Sequence, residues 1–303
     1  MSYLLALALA LCWGSAALSI KNIVTVLPPY WSTFYRVLAG LLFFAALYAL
    51  QRKSVKISLK EIWRPWLLGF LLILLPFAAL SWGQRFVSPT ISGIFNGTVP
   101  IWSFIAGALI LKGQDRFTWR RAVGVLFGLA GLLFITRPIL IQVFSHVSSA
   151  EAALYGCIAF LIMAWSCGLG AVMTKVVMVD SSRVSYQANT FHQYLFSALV
   201  LLALSFSFEP MPPLASFTPK VVISILAAGV FSSAVAFLIM VYLLKRWGAT
   251  RMASVAYCTP VITILGDMAL FGRMPGLHEI AGLLLIFVSL FLIQKPVQPE
   301  KQS

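Results

Sequence analysis

Two charged side chains lie inside long apolar stretches of the sequence, where a charge is energetically costly. Arg36 lies about six residues into one stretch, and Asp267 lies near the end of another. An ionisable group inside a membrane-length apolar segment usually marks a functional site. We therefore predict a coupling or gating role for both residues, either as an ion pair or with Asp267 exchanging protons. The alternative is that Arg36 extends its guanidinium toward the interface and that Asp267 bonds within its own helix.

His192 is a third candidate for coupling or gating. It lies in an apolar stretch next to Gln193 and close to Asn189. An imidazole titrates near neutral pH and is therefore able to relay protons. The alternative is a histidine that is hydrogen-bonded and serves only in packing.

A set of aromatic and amide side chains near the middle of apolar stretches is predicted to bind a substrate. Indole N–H and phenol O–H groups need a polar partner there, and a cavity holding water or ligand would supply one. The predicted substrate-binding residues are Trp13, Asn96, Trp102, Trp165 and Tyr257. The alternative is packing against lipid or neighbouring helices, with Asn96 joining two helices through a hydrogen bond.

Two prolines lie in matching surroundings 160 residues apart. Pro100 follows Thr98-Val99 and Pro260 follows Cys258-Thr259, each near the middle of a membrane-length apolar segment. A proline inside a spanning helix frees a backbone carbonyl, which lipid cannot satisfy. We predict that both prolines kink their helices and that these helices form walls of a central pathway.

Several motifs of enzymes and cofactor-binding proteins are missing from the sequence. It has no glycine-rich phosphate loop followed by Lys-Ser/Thr, no nucleophile elbow and no His-Glu-x-x-His. The four cysteines lie in apolar segments without the spacing of a metal site. The sequence therefore predicts no enzyme, no metal site and no cofactor.

The composition is that of an integral membrane protein. Hydrophobic residues make up 61% of the chain and charged residues only 10%, against roughly half and a quarter in soluble domains. The net charge of +14 does not indicate nucleic-acid binding, because the basic residues lie in short loops between apolar segments. The expected partners are the lipid bilayer and a small-molecule substrate, and self-association into a homo-oligomer is left open.

The apolar segments predict ten transmembrane helices. Their approximate ranges are 3–20, 30–50, 66–83, 91–111, 119–136, 152–174, 186–206, 220–243, 252–271 and 277–294. With this count, sixteen Lys and Arg residues lie on one side of the membrane and five on the other. The side rich in Lys and Arg is cytoplasmic. The prediction is a multi-pass protein of the cell (inner) membrane with both termini in the cytoplasm.

The ten segments divide into two similar sets of five. Residues 1–138 form the first set, 139–149 a linker, 150–294 the second set, and 295–303 a disordered cytoplasmic tail. The matched prolines and the pair Trp13 and Trp165 support a duplication. An odd number of spans per copy inverts the second copy in the membrane. The predicted fold is all-α, with two inverted five-helix repeats around a central cavity.

These features resemble the EamA-type members of the drug/metabolite transporter superfamily over nearly the whole chain. The resemblance rests on two motifs, the Pro100 and Pro260 segments and two glycine-rich spans. The motifs are Leu11-Cys12-Trp13-Gly14-Ser15 and Phe34-Tyr35-Arg36, and the spans are Val123–Ile135 and Ile280–Ile293. It implies a cavity lined by spans one, three, four, six, eight and nine. The chain departs from the family by lacking a glutamate just after spans four and nine.

The sequence predicts a secondary transporter, specifically an exporter, of small organic metabolites such as amino acids or related amphipathic compounds. Transport would proceed by alternating access of a site at the bilayer centre, with proton coupling as a further hypothesis. The alternative is an uncoupled lipid scramblase or a pore-like membrane protein. A membrane-embedded enzyme is disfavoured, because no cluster of catalytic polar residues lies near either interface.

Overall fold

A computed structural model describes residues 2–86, 92, 95–111, 118–145, 150–180, 183–258 and 276–294 of the chain. Every regular element in these ranges is helical. Pro260, Asp267 and the tail 295–303 lie outside the described residues. The all-α prediction is confirmed within them.

The described helices, numbered in chain order, each overlap a predicted apolar segment to a different extent. They are α1 (Ser2–Val24), α2 (Pro29–Leu50), α3 (Trp63–Gly83), α4 (Val99–Ile110), α5 (Trp119–Ser145), α6 (Ala150–Thr174), α7 (Tyr186–Phe208), α8 (Pro219–Trp247), α9 (Ala249–Ala253) and α10 (Leu277–Gln294). Short 3₁₀ segments occupy Leu214–Ser216 and Ser254–Tyr257, and a π-helical segment at Lys175–Asp180 continues α6. Gly248, with φ of 79°, joins α8 to α9 in a conformation that favours glycine.

Five of the described helical segments are long and apolar enough to cross a bilayer. They are Pro29–Leu50, Trp63–Gly83, Leu154–Val179, Tyr186–Phe208 and Pro219–Trp247. Shorter apolar helices at Ser2–Ala16, Val99–Ile110 and Leu277–Ile293 accompany them. A bilayer core needs about 20 apolar residues per helix. The chain is therefore a multi-pass membrane protein.

The end of α5 differs from the sequence-based prediction. The helix continues to Ser145, past the predicted end near residue 136 and through most of the predicted linker. Pro138 does not end it, although an interior proline removes a backbone donor and usually breaks a helix. Ile139-Leu140-Ile141 after the proline keep the segment apolar, and an apolar backbone in a membrane satisfies its polar groups only by remaining helical.

The helices pack in a consistent set of neighbours. α5 packs against α10, and α2 packs against α7 and α8. α3 packs against α6 and α7, α1 packs against α8, and α4 packs against α6 and α9. The largest group of buried apolar residues draws on α1, α2, α3, α6, α7 and α8, so it lies where the two halves of the chain meet.

Two helices contain π-helical segments at similar places. The segment in α3 spans Phe70–Leu74, and that in α8 spans Ala227–Val235. In α3, Pro76 has no N–H to donate to the carbonyl of Leu72, which disfavours regular α-helical bonding before it. Short π segments inside helices are frequent at functional sites. Both segments lie where α3 and α8 approach neighbouring helices.

Candidate functional site

Arg36 lies seven residues after the start of α2, about 10 Å along the helix axis. Pro28 and Pro29 fix the start of this helix, because proline is pre-organised for the first turn. Only 6% of Arg36 is exposed. The sequence places this charge in the interior because α2 packs with that side against α8, where the backbone oxygen of Arg36 faces Gly229.

The guanidinium of Arg36 has two fixed contacts. Its Nε donates a hydrogen bond of 2.9 Å to Ser233 Oγ, and Ser233 Oγ donates one of 2.8 Å to the carbonyl of Ala228. Its central carbon lies 3.7 Å from the ring centroid of Phe77, which is a cation–π contact. Ser233 belongs to the π segment of α8, and Phe77 follows the π segment of α3. Helices α8 and α3 therefore hold the guanidinium in place.

Two further groups come close to Arg36 from other helices. Tyr194 on α7 and Cys167 on α6 are near enough to interact with it electrostatically. Tyr194 is fully buried and packs edge-on against Phe44, with ring centroids 5.0 Å apart. Side chains from α2, α3, α6, α7 and α8 thus converge around one buried cation.

Trp13 lies on α1 near the same region. Its side chain is half-buried and packs against the main buried cluster. Two residues on, Ser15 Oγ lies 3.4 Å from Ser232 Oγ, and Ser232 is the neighbour of Ser233. Trp13 therefore lies two residues before Ser15, which contacts the residue next to the Arg36 partner Ser233.

Trp102 on α4 packs with Cys167 of α6 against a small buried cluster of Val99, Ala164 and Ala253. Its side chain packs against Gly168, and its indole Nε1 is buried without a hydrogen-bond partner among the described residues. The hydroxyl of Ser103 is likewise buried and unpartnered within them. An unsatisfied buried donor costs free energy, so a bound polar group would be stabilised here.

Asn96 and Pro100 lie on either side of a short turn that breaks the helical structure. Gly97 and Thr98 form a turn, and Pro100 lies in the first turn of the helix that begins at Val99. A kink produced by Pro100 therefore stays a prediction. The break precedes the proline, because Pro100 has no N–H to donate to the carbonyl of Asn96 and fits the first turn of a helix. Asn96 is half-buried and makes no hydrogen bond within the described residues.

Tyr257 and Trp165 lie away from the Arg36 group. Tyr257 is fully buried, and its hydroxyl donates a hydrogen bond of 3.1 Å to the carbonyl of Val125 on α5. Trp165 is 43% exposed and shares one face of α6 with Leu154, Ile158 and Leu161, all of them exposed. Such an exposed apolar stripe is typical of lipid contact. Substrate binding by these two residues stays a prediction that their positions do not favour.

His192 also lies apart from the Arg36 group. Its Nε2 is 3.0 Å from the carbonyl oxygen of Val55, which follows α2 in the chain. Glu209, directly after the far end of α7, contacts the start of α2. Its carboxylate accepts backbone hydrogen bonds from Tyr30 and Trp31, the shortest 2.9 Å long. A carboxylate at a helix N-terminus also interacts favourably with the helix dipole. These two contacts join α7 to the start of α2 at one end and to the segment that follows α2 at the other.

The sequence interpretation overlooked Phe77, Ser232, Ser233 and Tyr194. Pro76 inside a predicted span was the available signal for an irregular helix near Phe77. Paired serines in an apolar segment were the signal at Ser232 and Ser233, because hydroxyls can satisfy freed carbonyls in a membrane. Nothing in the sequence distinguished Tyr194 from other aromatic residues. Asp267 and Pro260 lie outside the described residues, within which no cluster of three metal-ligating side chains occurs.

The model of the EamA-like transporter family matches residues 1–137 and 154–294. The chain belongs to the EamA-like transporter family. The resemblance inferred from the sequence is confirmed, and the chain is a membrane transporter rather than an enzyme. The matched segments cover all the described helices except part of the extension of α5 and the start of α6.

Several proteins are similar to this EamA-like transporter over most of their length. "Uncharacterized transporter YoaV" of Bacillus subtilis is 24% identical over 94% of each chain. "Uncharacterized inner membrane transporter YhbE" of Escherichia coli is 25% identical over 86% of this chain and 78% of its own. A solved crystal structure shares the fold, with a TM-score of 0.76 and 18% identity over 96% of this chain and 95% of that one.

Proposed function

We propose that this EamA-like transporter exports small organic metabolites, such as amino acids or related amphipathic compounds, by alternating access. The observation that carries the proposal is the convergence of α2, α3, α6, α7 and α8 on the buried Arg36 group. Secondary transporters hold their substrate near the bilayer centre, at the interface of their repeats. The Arg36 group occupies such an interface between the first and second halves of the chain.

Repeated packing supports the proposal of ten spans in two inverted halves, residues 1–138 and 150–294. α3 packs against α6 and α7, and α8 packs against α1 and α2, which are the counterparts under the proposed repeat. Gly69 on α3 faces the backbone oxygen of Gln193, just as Gly229 on α8 faces that of Arg36. Gln193 and Arg36 are also paired by the sequence repeat. The division of the family match into two segments agrees with this proposal.

The contacts between α2 and α7 suggest which parts move. Glu209 joins these helices at one end and His192 joins them at the other. A helix pair fastened at both ends is expected to stay together while access alternates. We therefore propose that α1, α3, α4, α6, α8 and α9 move relative to a fixed α2–α7 pair.

The distribution of basic residues supports the proposed orientation. Sixteen Lys and Arg residues lie on the side that carries both termini, which we assign to the cytoplasm of the cell. Proton coupling remains a secondary proposal. Its candidate residues are Asp267 and His192, whose Nε2 lies 3.0 Å from the carbonyl oxygen of Val55.

Counterflow in proteoliposomes tests the proposed function. Vesicles containing the full-length protein are loaded with one unlabelled amino acid at a time, and uptake of the same labelled amino acid is measured. A carrier gives saturable uptake that the internal substrate stimulates, because each loaded return step resets the site. Linear uptake without such stimulation would identify a pore, and protein-free vesicles set the background.

A further inference from the structure

We propose that Arg36 binds the carboxylate group of the transported substrate. The substrate is then a small organic acid or an amino acid zwitterion rather than an amine or a neutral compound. This inference rests on the proposed transport function and names the chemical class of its substrate. It assigns Arg36 to substrate binding, in place of the ion pair with Asp267 considered from the sequence.

The contacts of Arg36 leave one edge of its guanidinium available. Nε is occupied by Ser233, and one face is covered by the ring of Phe77. The two terminal nitrogens make no hydrogen bond to any described residue. Two parallel N–H groups at this end of a guanidinium match the two oxygens of a carboxylate. The side chain is thus oriented as a receptor before the ligand arrives.

An anion near Arg36 would also offset the free-energy cost of burying its charge. A buried ion costs several kcal/mol unless it is paired and hydrogen-bonded. A cation–π contact returns about 2 kcal/mol when desolvated and a neutral hydrogen bond about 1 kcal/mol. Phe77 and Ser233 therefore offset only part of the cost for Arg36. A bound carboxylate would supply the missing charge.

The described carboxylates are engaged elsewhere. Glu61 pairs with Arg64, Glu209 accepts the backbone N–H groups at the start of α2, and Glu279 accepts the N–H of Gly276. Within the residues whose side chains are described, none of these three approaches Arg36. The structure thus provides an oriented cation whose counter-ion is not among them.

The surroundings of Arg36 favour a singly charged ligand. The described groups around it are an aromatic ring, hydroxyls and a thiol, which leaves one positive charge to balance. A phosphate would carry more charge and would require further cations or backbone donors.

The test compares acids with their amides on matched variants. The twenty proteinogenic L-amino acids and their α-carboxamides are screened for binding to purified full-length protein by thermal shift, and affinities are then titrated. For the ligand found, Arg36→Gln is expected to weaken binding of the acid by about 10- to 100-fold, as for loss of charge-assisted hydrogen bonds. Binding of the amide should remain nearly unchanged. Arg85→Gln, at an exposed position, should affect neither compound.

Further variants keep the test decisive. Arg36→Lys retains the charge without the planar fork, so it should recover only part of the preference for the acid. If Arg36→Gln does not fold, Arg36→Lys and Ser233→Ala replace it, and each should reduce the preference for acid over amide. Added inorganic phosphate should not displace the acid.

Four results would overturn the inference. Equal losses of acid and amide binding would make Arg36 a structural residue. A wild-type protein that exchanges amides as well as acids would retain its transport function and lose only the proposed role of Arg36. Displacement by phosphate would point to a different anion class. If no compound in either set binds saturably, the inference fails, and if none gives saturable counterflow, the proposed transport of amino acids fails as well.

Discussion

At the scale of single residues, three hydroxyl groups among the described residues bond to backbone carbonyls of another helix. Ser166 Oγ donates to the carbonyl of Leu71 at 2.7 Å, and Ser197 Oγ donates to that of Gly69 at 3.2 Å. The accepting carbonyls lie in or beside the π segment of α3. A bilayer supplies no water to such carbonyls, so side-chain hydroxyls must satisfy them. These bonds make the irregular segments compatible with a membrane.

Tyr257 provides a test of this principle. Tyr257→Phe should lower the unfolding free energy by about 1 kcal/mol, because the carbonyl of Val125 loses its donor. Ligand affinity should be unchanged, since the hydroxyl is committed to the protein. Thermal unfolding of the purified protein with and without ligand measures both quantities.

Tyr242→Phe is the matched control, because that hydroxyl makes no hydrogen bond within the described residues. It should leave the unfolding temperature nearly unchanged. Weaker ligand binding in Tyr257→Phe, without loss of stability, would instead support the sequence-based assignment of Tyr257 to the substrate site.

Arg36 was predictable from the sequence because a charge inside an apolar span has few structural explanations. The residues that contact Arg36 were not predictable from the sequence. Phe77 is one of 23 phenylalanines, and Ser233 looks like any small residue of a helix interface. Their role depends on which faces of α3 and α8 turn toward α2, and apolar periodicity does not specify that. Trp165 is a second example. Its position in the middle of a span suggested that it lines a cavity, whereas the face of α6 on which it lies suggests contact with lipid.

At the scale of elements, the α2–α7 pair is fastened at both ends and closely packed between them. Gly40 on α2 allows the ring of Tyr194 to approach, and a side chain there would meet that ring at 2.5 Å. Glu209 and His192 hold the two ends. The pair therefore behaves as one unit, and the movements of transport must occur around it.

Cross-linking the ends of these helices tests this role. Tyr30 and Phe208 lie with their ring centroids 6.2 Å apart, within reach of a short thiol cross-linker once both are replaced by cysteine. In a background without the four native cysteines, the cross-linked protein should retain substrate exchange in proteoliposomes, because these ends do not separate. Each single-cysteine variant treated with the same reagent is the control. Exchange that stops on cross-linking and returns on its reduction would show that α2 and α7 do move apart.

The π segments could not be read from the sequence in full. Pro76 gave a signal in α3, since a missing N–H disrupts the bonding of the preceding turn. The segment in α8 contains no proline. Its glycine, alanines and serines also occur in regular helices of membrane proteins. The turn at Gly97 and Thr98 was not predicted either, because Pro100 suggested a kink at the proline itself.

At the scale of the whole molecule, the sequence was most informative about class and least about boundaries. Composition and the Lys and Arg distribution are sums over many residues, so single misjudgements matter little. The predicted end of α5 depended on a single residue, Pro138. The helix continues past it because the residues that follow are apolar. The neighbours of each helix required the coordinates, because packing depends on helix faces rather than on segment order.

The account rests most heavily on two halves that cross the membrane in opposite senses. Three single-cysteine proteins test it directly, made without the native cysteines, with the cysteine at Ser2, at Ser145 at the end of α5, or appended after Ser303. They are exposed to an impermeant thiol reagent in intact and in permeabilised cells. The account predicts that the Ser145 position is labelled in intact cells and that both ends of the chain are labelled only after permeabilisation. Labelling of one chain end but not the other in intact cells would contradict it.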